Sequence, residues 1–237
     1  MQEKGNNAVI FGFNREQVAT AIAVLFHAIG LLGILYFDKN IFIKLTAVNL
    51  LLMFLLILYT QKNINTPFII FLLLTIAIGI LVEIVGTKTG ILFGNYKYGN
   101  VLGPTIYNVP FVIGLNWFVI IYCCGISMQA ILNAMINKIS AVAETSKPLL
   151  KTISVLVDGA TLAVMFDWLM EPVAIKLGYW NWVGDGSIPV FNYACWFAIS
   201  LLLLFLFHKL KFNKQNKFAV HLLLIQAMFF LLLRTLL

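Results

Sequence analysis

The sequence predicts an all-α integral membrane protein, a bundle of about seven transmembrane helices. Three observations carry that expectation. Hydrophobic residues make up 62% of the chain and charged residues only 11%, where a soluble domain carries about a quarter charged. The mean hydropathy is +0.97, so too few polar side chains exist to cover a globular surface and lipid must be the solvent. The apolar residues also gather into runs close to the roughly 20 residues that cross a bilayer.

The runs follow in order. Met1 to Glu16 is polar and does not read as a cleavable signal peptide; the first span, 17–37, follows it and ends at Asp38-Lys39-Asn40. The second, 41–59, ends at Gln61-Lys62-Asn63, and the third, 66–86, runs into a Gly/Tyr-rich segment, 87–107. The fourth, 108–136, stops at the polar stretch 137–148, and the fifth, 149–173, at the Gly/Trp segment 174–188. The sixth, 189–208, and the seventh, 217–236, flank a basic run from Lys209 to Lys217. Lipid offers no partner for backbone N–H and C=O, so each span is expected to be a helix within one transmembrane domain, 1–237.

The net charge of +7 reads as topology. Alternate connections put six cations (Lys39, Lys44, Lys88, Lys97, Lys176 and Arg234) on one side and the other ten of the sixteen, including Lys4, Arg15, Lys62, Lys138 and Lys147, opposite. The positive-inside rule then makes the N-terminus cytoplasmic and places loops 87–107 and 174–188 on the non-cytoplasmic side. No basic stripe interleaved with aromatics points to nucleic acid. Cys123, Cys124 and Cys195 lie in apolar runs and read as free buried thiols.

The two loops are rich in Gly and aromatics: Gly90, Phe93, Gly94, Tyr96, Tyr98 and Gly99 in one, Gly178, Tyr179, Trp180, Trp182 and Gly184 in the other. Such loops can fold back into a bundle mouth, although Trp and Tyr also populate ordinary interfacial belts. An internal repeat links them. Glu83-x4-Lys88-x-Gly90 matches Glu171-x4-Lys176-x-Gly178, and Val109-Pro110-x6-Trp117-Phe118 matches Ile188-Pro189-x6-Trp196-Phe197. The match predicts a parallel repeat relating spans 3–4 to spans 5–6 about an axis along the membrane normal.

Only nine acids occur in the chain, and four, Glu83, Asp158, Asp167 and Glu171, fall within spans, where an ionisable group is costly and by default functional. The alternative is structural pairing with Lys88, Lys176, Asn116 or a Tyr hydroxyl. Glu83 closes span 3, and Asp167 and Glu171 lie near the end of span 5, all toward the aromatic loops. The i, i+4 spacing puts Asp167 and Glu171 on one helix face about 6 Å apart along the axis. Asp158 is about 13 Å deeper and points roughly the other way, which suits packing or support.

Burial and like charge both favour the neutral form of crowded carboxyls. At neutral pH at least one is therefore expected to be an acid that can donate a proton, while an ionised neighbour accepts one. Trp117, Trp168, Trp180, Trp182, Tyr96 and Tyr98 would add π-faces that stabilise a cation. That combination suits protonation of an isoprenoid alkene and capture of the carbocation. Other chemistries lack their residues: there is no phosphate loop, no Cys/His metal spacing and no Ser-His-acid order. His27, His208 and His221 read as interfacial or core histidines, and no mid-membrane Lys on span 7 could hold retinal.

The motifs resemble those of the carotenoid biosynthesis membrane proteins. They are Glu83-Ile-Val-Gly-Thr-Lys-Thr-Gly90, Phe93-Gly94-Asn95-Tyr96-x-Tyr98-Gly99, Leu102-Gly103-Pro104, Val109-Pro110 and Asn116-Trp117. In the second half they are Asp167-Trp168-Leu169-Met170-Glu171-Pro172-Val173-Ala174, Gly178-Tyr179-Trp180-Asn181-Trp182 and Ile188-Pro189-x-x-Asn192-Tyr193-x-x-Trp196. The similarity covers about residues 66–200, and the family includes CruF-type carotenoid 1,2-hydratases and bisanhydrobacterioruberin hydratases. It implies a cofactor-independent, metal-free hydratase that adds water across the terminal C1=C2 bond of an acyclic (ψ) carotenoid end, on a substrate of the lycopene or γ-carotene type held among membrane lipid. On that reading Glu83 or Asp167 is the acid, and Glu171 positions or deprotonates water. Asn116, Tyr96 and Tyr98 hold the water. The Trp residues, Asn181 and Asn192 line the substrate site, and Lys88 and Asp158 support it. A cyclase using the same protonation, and a non-enzymatic proton-coupled transporter or carotenoid-binding protein, are the competing readings.

Overall fold

The structure, a computed structural model, describes residues 13–140 and 148–237. Among them are seven helices long and apolar enough to cross a membrane: α1 (Arg15–Tyr36), α2 (Lys39–Thr60), α3 (Thr66–Thr89), α4 (Phe111–Ser140), α5 (Pro148–Lys176), α6 (Val190–Lys209) and α7 (Lys217–Leu236). The protein is a multi-pass, all-α membrane bundle. Lys4 and Lys147, counted in the charge asymmetry, lie outside the described residues, as does the side chain of Lys138.

The polar breaks act as caps. Asn14 caps α1 in a capping box with Gln17, Asp38 accepts from the Asn40 and Ile41 amides, and Asn65 and Asn216 cap α3 and α7. Each satisfies backbone donors that a helix start leaves unpaired. Helix α3 runs one turn past the predicted end and stops at Gly90, whose φ of 68° is the left-handed conformation glycine adopts without penalty. Helix α4 begins at Phe111 rather than at 108, because Val109–Pro110 (β3) pairs with Thr105–Ile106 (β2) across a tight turn at Tyr107 and Asn108.

The bundle is organised around α4. Of an apolar 18-residue stretch of its span, 89% is buried, against 22–44% of the equivalent stretches of the others. Close approach to α3 needs glycine: a Cβ on Gly79 would lie 2.7 Å from the Cβ and Cγ of Trp117. At the end away from the aromatic loops, the Tyr122 hydroxyl donates to Gln61 Oε1 at 2.5 Å, and the Asn216 amide donates to Thr60 Oγ1 and Tyr122 Oη at 3.0 and 3.2 Å. This buried network ties α2, α4 and the start of α7 together.

At the opposite end the two aromatic loops meet. Tyr96–Tyr98 (β1) pairs antiparallel with Trp180–Trp182 (β4), with Lys97 opposite Asn181. The Gly99 amide donates to Tyr179 O, and Val183 to Asn95 O, both at 2.8 Å. Equivalent segments of the sequence repeat thus pair with each other. Further in, the equivalent indoles Trp117 and Trp196 stack with centroids 4.0 Å apart and planes at 15°. Antiparallel pairing of equivalent strands and stacking of equivalent rings is the arrangement that a twofold axis along the membrane normal produces.

Candidate active site

Alternation along the short β1–β4 ribbon builds the site's roof. Residues at every second position face one way, so Tyr96, Tyr98, Trp180 and Trp182 face the bundle while Lys97 and Asn181 are exposed. The helix ends beneath supply the carboxyls. Glu83, Asp167 and Glu171 are all buried, and all three line one cavity of about 30 Å³, together with Asn116, Trp117 and Asn192. A space of roughly 10–15 Å³ holds one water, so this chamber suits a water and little more.

The three carboxyls have different partners. Glu83 has both oxygens engaged: Oε2 accepts from the hydroxyls of Tyr96 and of Tyr98 (2.7 Å), and Oε1 accepts from Trp117 Nε1 at 2.9 Å. Burial, then the adjacent Glu83 charge, pushes the Tyr96 and Tyr98 hydroxyls above their ordinary range, so they stay protonated donors. On Glu171, one oxygen, Oε2, accepts from Trp180 Nε1 at 3.0 Å and Trp182 Nε1 at 3.1 Å. The repeat is visible here: each glutamate is held by the two aromatics of its own strand.

Asp167 breaks the pattern. It is fully buried; Oδ2 accepts from Asn192 Nδ2 at 2.8 Å, and Oδ1 has no partner among the described residues. At the 88-residue offset that relates Glu83 to Glu171, its counterpart is Gly79, and the 79-residue offset of the Trp pair makes Ile113 the counterpart of Asn192. One half of the repeat therefore carries an acid with its amide partner where the other carries glycine and isoleucine.

Four side chains that the sequence assigns to the site lie elsewhere. Trp168 is 52% exposed and lies outside the chamber. Pro172 has no N–H for the Trp168 carbonyl one turn back, and Arg234 Nη1 supplies the missing donor at 3.0 Å, its guanidinium 3.9 Å over the Trp168 ring. Asn181 faces outward because strand neighbours alternate. Lys88 is exposed, with Nζ 4.1 Å over the Tyr107 ring; five residues carry it about 140° around α3 from Glu83. Asp158 is exposed on α5, half a turn of the helix wheel from Asp167. Trp196 also lines the chamber and is missing from the residues expected there, although its repeat match to Trp117 was the available signal.

A second, larger cavity of about 190 Å³ adjoins the chamber and shares Ile113, Asn116, Met170 and Trp180 with it. Its other walls come from Leu102 and Tyr179 of the loops and from α1, α2 and α7, helices that read from sequence only as hydrophobic. Phe26 and Ile29 of α1 and Leu45 and Val48 of α2 line it while being 44–58% exposed on the outer surface. The cavity thus opens sideways to hydrocarbon between α1 and α2. An apolar cavity of about 150 Å³ accommodates benzene, so this one can take the end of an isoprenoid chain.

Bisanhydrobacterioruberin hydratase of Haloarcula japonica is 26% identical over 129 residues, which are 53% of this chain and 40% of that protein. The chain therefore spans well under two thirds of that relative's length. No solved structure matches. A family profile described as carotenoid biosynthesis protein matches residues 41–237, taking in nearly all of α2, the whole of α3 to α7 and every residue of the chamber. On that match, the chain belongs to the carotenoid biosynthesis protein family.

Proposed function

We propose that the protein is a carotenoid hydratase that adds water across the terminal C1=C2 bond of an acyclic carotenoid end. The observation that carries the reading is buried Asp167, whose Oδ1 has no partner among the described residues and whose side chain lines a water-sized chamber adjoining an isoprenoid-sized cavity. The named function of the Haloarcula relative supports it.

The end group lies in the lipid-open cavity up to Asn116 and Trp180, which stand at the junction, so that C1=C2 abuts the chamber. Asp167, in its acid form, delivers a proton to C2, and the π electrons of C1=C2 form the new C–H bond. Positive charge appears at C1 as a tertiary cation. The carboxylate of Glu83, held by three donors, and the stacked Trp117 and Trp196 stabilise that cation. Water held at Asn116 attacks C1, and Glu171 takes the released proton on Oε1, the oxygen not engaged by the two indoles. Return of that proton to Asp167, one helical turn away, restores the site, and the net change is one added water. Of the two acids open from sequence, Glu83 is the poorer donor because both its oxygens are already acceptors.

The water-sized chamber beside the alkene favours hydration over cyclisation, in which an internal alkene would capture the cation. Mass spectrometry of pigments from a lycopene-making host, with and without the protein, separates them. Hydration adds the mass of water to the product, and cyclisation leaves the mass unchanged. No change in any pigment would refute the reading.

A further inference from the structure

The repeat and the cavities part company at one place. The larger cavity meets the chamber at Ile113, Asn116, Met170 and Trp180. Their repeat counterparts across the twofold axis are Asn192, Cys195, Val82 and Tyr96. Both glutamates and the stacked pair Trp117 and Trp196 line the chamber, so it lies on that axis. Symmetry alone would give it two equivalent mouths. Phe93 stands where the second would be. Its amide donates to Cys195 Sγ at 3.3 Å, its ring meets Tyr96 edge-on with centroids 6.1 Å apart, and it lines the chamber.

The residue comes from an insertion. Five residues separate Gly90 from Tyr96, but only one separates Gly178 from Trp180. The extra residues of the first half, Ile91 to Gly94, form a tight turn: the Gly94 amide donates to Leu92 O at 2.8 Å around Phe93, whose φ is 65°. A γ-turn with positive φ is rare and strained, and more so for a bulky side chain. The ring is nevertheless buried, at 2% exposed. A glycine on α3 admits it, since a Cβ on Gly86 would lie 3.0 Å from Phe93 Cδ2 and 3.1 Å from Leu92 O; the counterpart of Gly86 is Ala174. Strained backbone of this kind persists where the surroundings over-determine it, most often at functional sites.

We infer that Phe93 is a specificity-determining residue, the stop that fixes how far the isoprenoid end advances. The inference rests on the hydratase reading. With a ring filling the far side of the chamber, the end group halts at the junction and C1=C2 is the alkene beside Asp167. Removing the benzyl group frees a length comparable to one isoprene unit, so the next alkene along the chain can take that place. The chemistry balances in the same way there: the proton adds to the CH carbon, the water oxygen to the methyl-bearing carbon, and one proton returns to the site. In lycopene, saturated carbons insulate C1=C2 from the polyene, whereas the next alkene begins the conjugation. Hydration at that alkene shortens the chromophore and shifts absorption to the blue, with the same gain in mass.

The test uses the full chain in phosphatidylcholine proteoliposomes with two substrates, lycopene and lycopene saturated at both terminal bonds. Product mass and absorption are read together. The unmodified protein should hydrate lycopene without a spectral change and leave the saturated analogue untouched. Phe93→Gly removes the ring and relaxes the positive φ, and should convert the analogue to a blue-shifted hydrate. Its terminal hydration of lycopene should fall about tenfold or more, because a displacement of about 1 Å can cost about 10²-fold. Phe93→Leu keeps an apolar wall and should stay close to the unmodified protein with both substrates. Hydration of the analogue by the unmodified protein would overturn the stop whatever the variants do. So would a Phe93→Gly protein that is monodisperse on size-exclusion chromatography yet leaves the analogue untouched. Loss of lycopene hydration in Phe93→Leu as well would make the ring a structural element and overturn the stop too. Lycopene left unhydrated by the unmodified protein sinks the hydratase reading itself, whereas terminal hydration combined with any of these three outcomes sinks the stop alone.

Discussion

Replacing Asp167 by Asn tests the proposed proton donor with little structural disturbance. The Asn192 amide donates to Asp167 Oδ2 at 2.8 Å, and the carbonyl of the substituted carboxamide can keep that bond. The new NH₂ then occupies the position of Oδ1, which has no partner among the described residues, so stability should change by less than about 1 kcal/mol. That corresponds to a shift in melting temperature of about 2–4 °C at most for a chain of this size. The amide cannot deliver a proton to carbon. Loss of a general acid costs roughly 10²- to 10⁴-fold in rate, or about 2.7–5.5 kcal/mol of barrier. Asp167→Ala should lose activity as well, and in addition strand the Asn192 amide at about 1–3 kcal/mol. The assay is hydrated pigment per unit of membrane-embedded protein in lycopene-producing cells, with thermal stability measured in detergent. Conversion by Asp167→Asn within about threefold of the unmodified protein, at equal abundance, would refute Asp167 as the acid, since it falls far short of the roughly 10²-fold minimum.

Glu83→Ala should damage the fold more than the Asp167 variants, because two hydroxyls and one indole N–H lose their acceptor; at about 1–3 kcal/mol per stranded donor, a sharp fall in folded yield is expected, read by size-exclusion chromatography. Gly79→Ala places a Cβ 2.7 Å from Trp117, which should cost about 1–3 kcal/mol by overpacking and lower activity by displacing the indole from Glu83. Val48→Trp at the lateral opening should raise KM severalfold in proteoliposomes with kcat unchanged, because only access is narrowed; a fall in kcat alone would argue against this portal. Arg234→Leu removes the donor to the Trp168 carbonyl and should lower the melting temperature by a few degrees without reducing conversion; lost conversion at full stability would return Trp168 to the active site.

Most of the bundle was legible in the chain because a bilayer imposes a simple rule. Every backbone polar group inside it must be satisfied within the helix, so apolar runs and polar breaks suffice to place the seven spans. The carboxyls were legible for a related reason: an acid in hydrocarbon is too costly to be incidental, and Glu83, Asp167 and Glu171 do converge. The Glu-Lys-Gly and Pro-Trp-Phe repeat foretold that Trp117 and Trp196 would be equivalent.

Only the tertiary structure decided what each of these residues touches. Helical periodicity cannot say that α4 is the buried centre, since in lipid the outward and inward faces are equally apolar and carry no contrasting pattern. Nor could it say that Trp168 faces out over Arg234, because the donor that Pro172 withholds is returned by a side chain 66 residues away. The pairing of the aromatic loops, the three donors on Glu83 and the Asp167 oxygen left without a partner among the described residues all depend on contacts between distant segments. Sequence composition determines which groups lipid will force inward, and packing across helices determines which of them is left free to react.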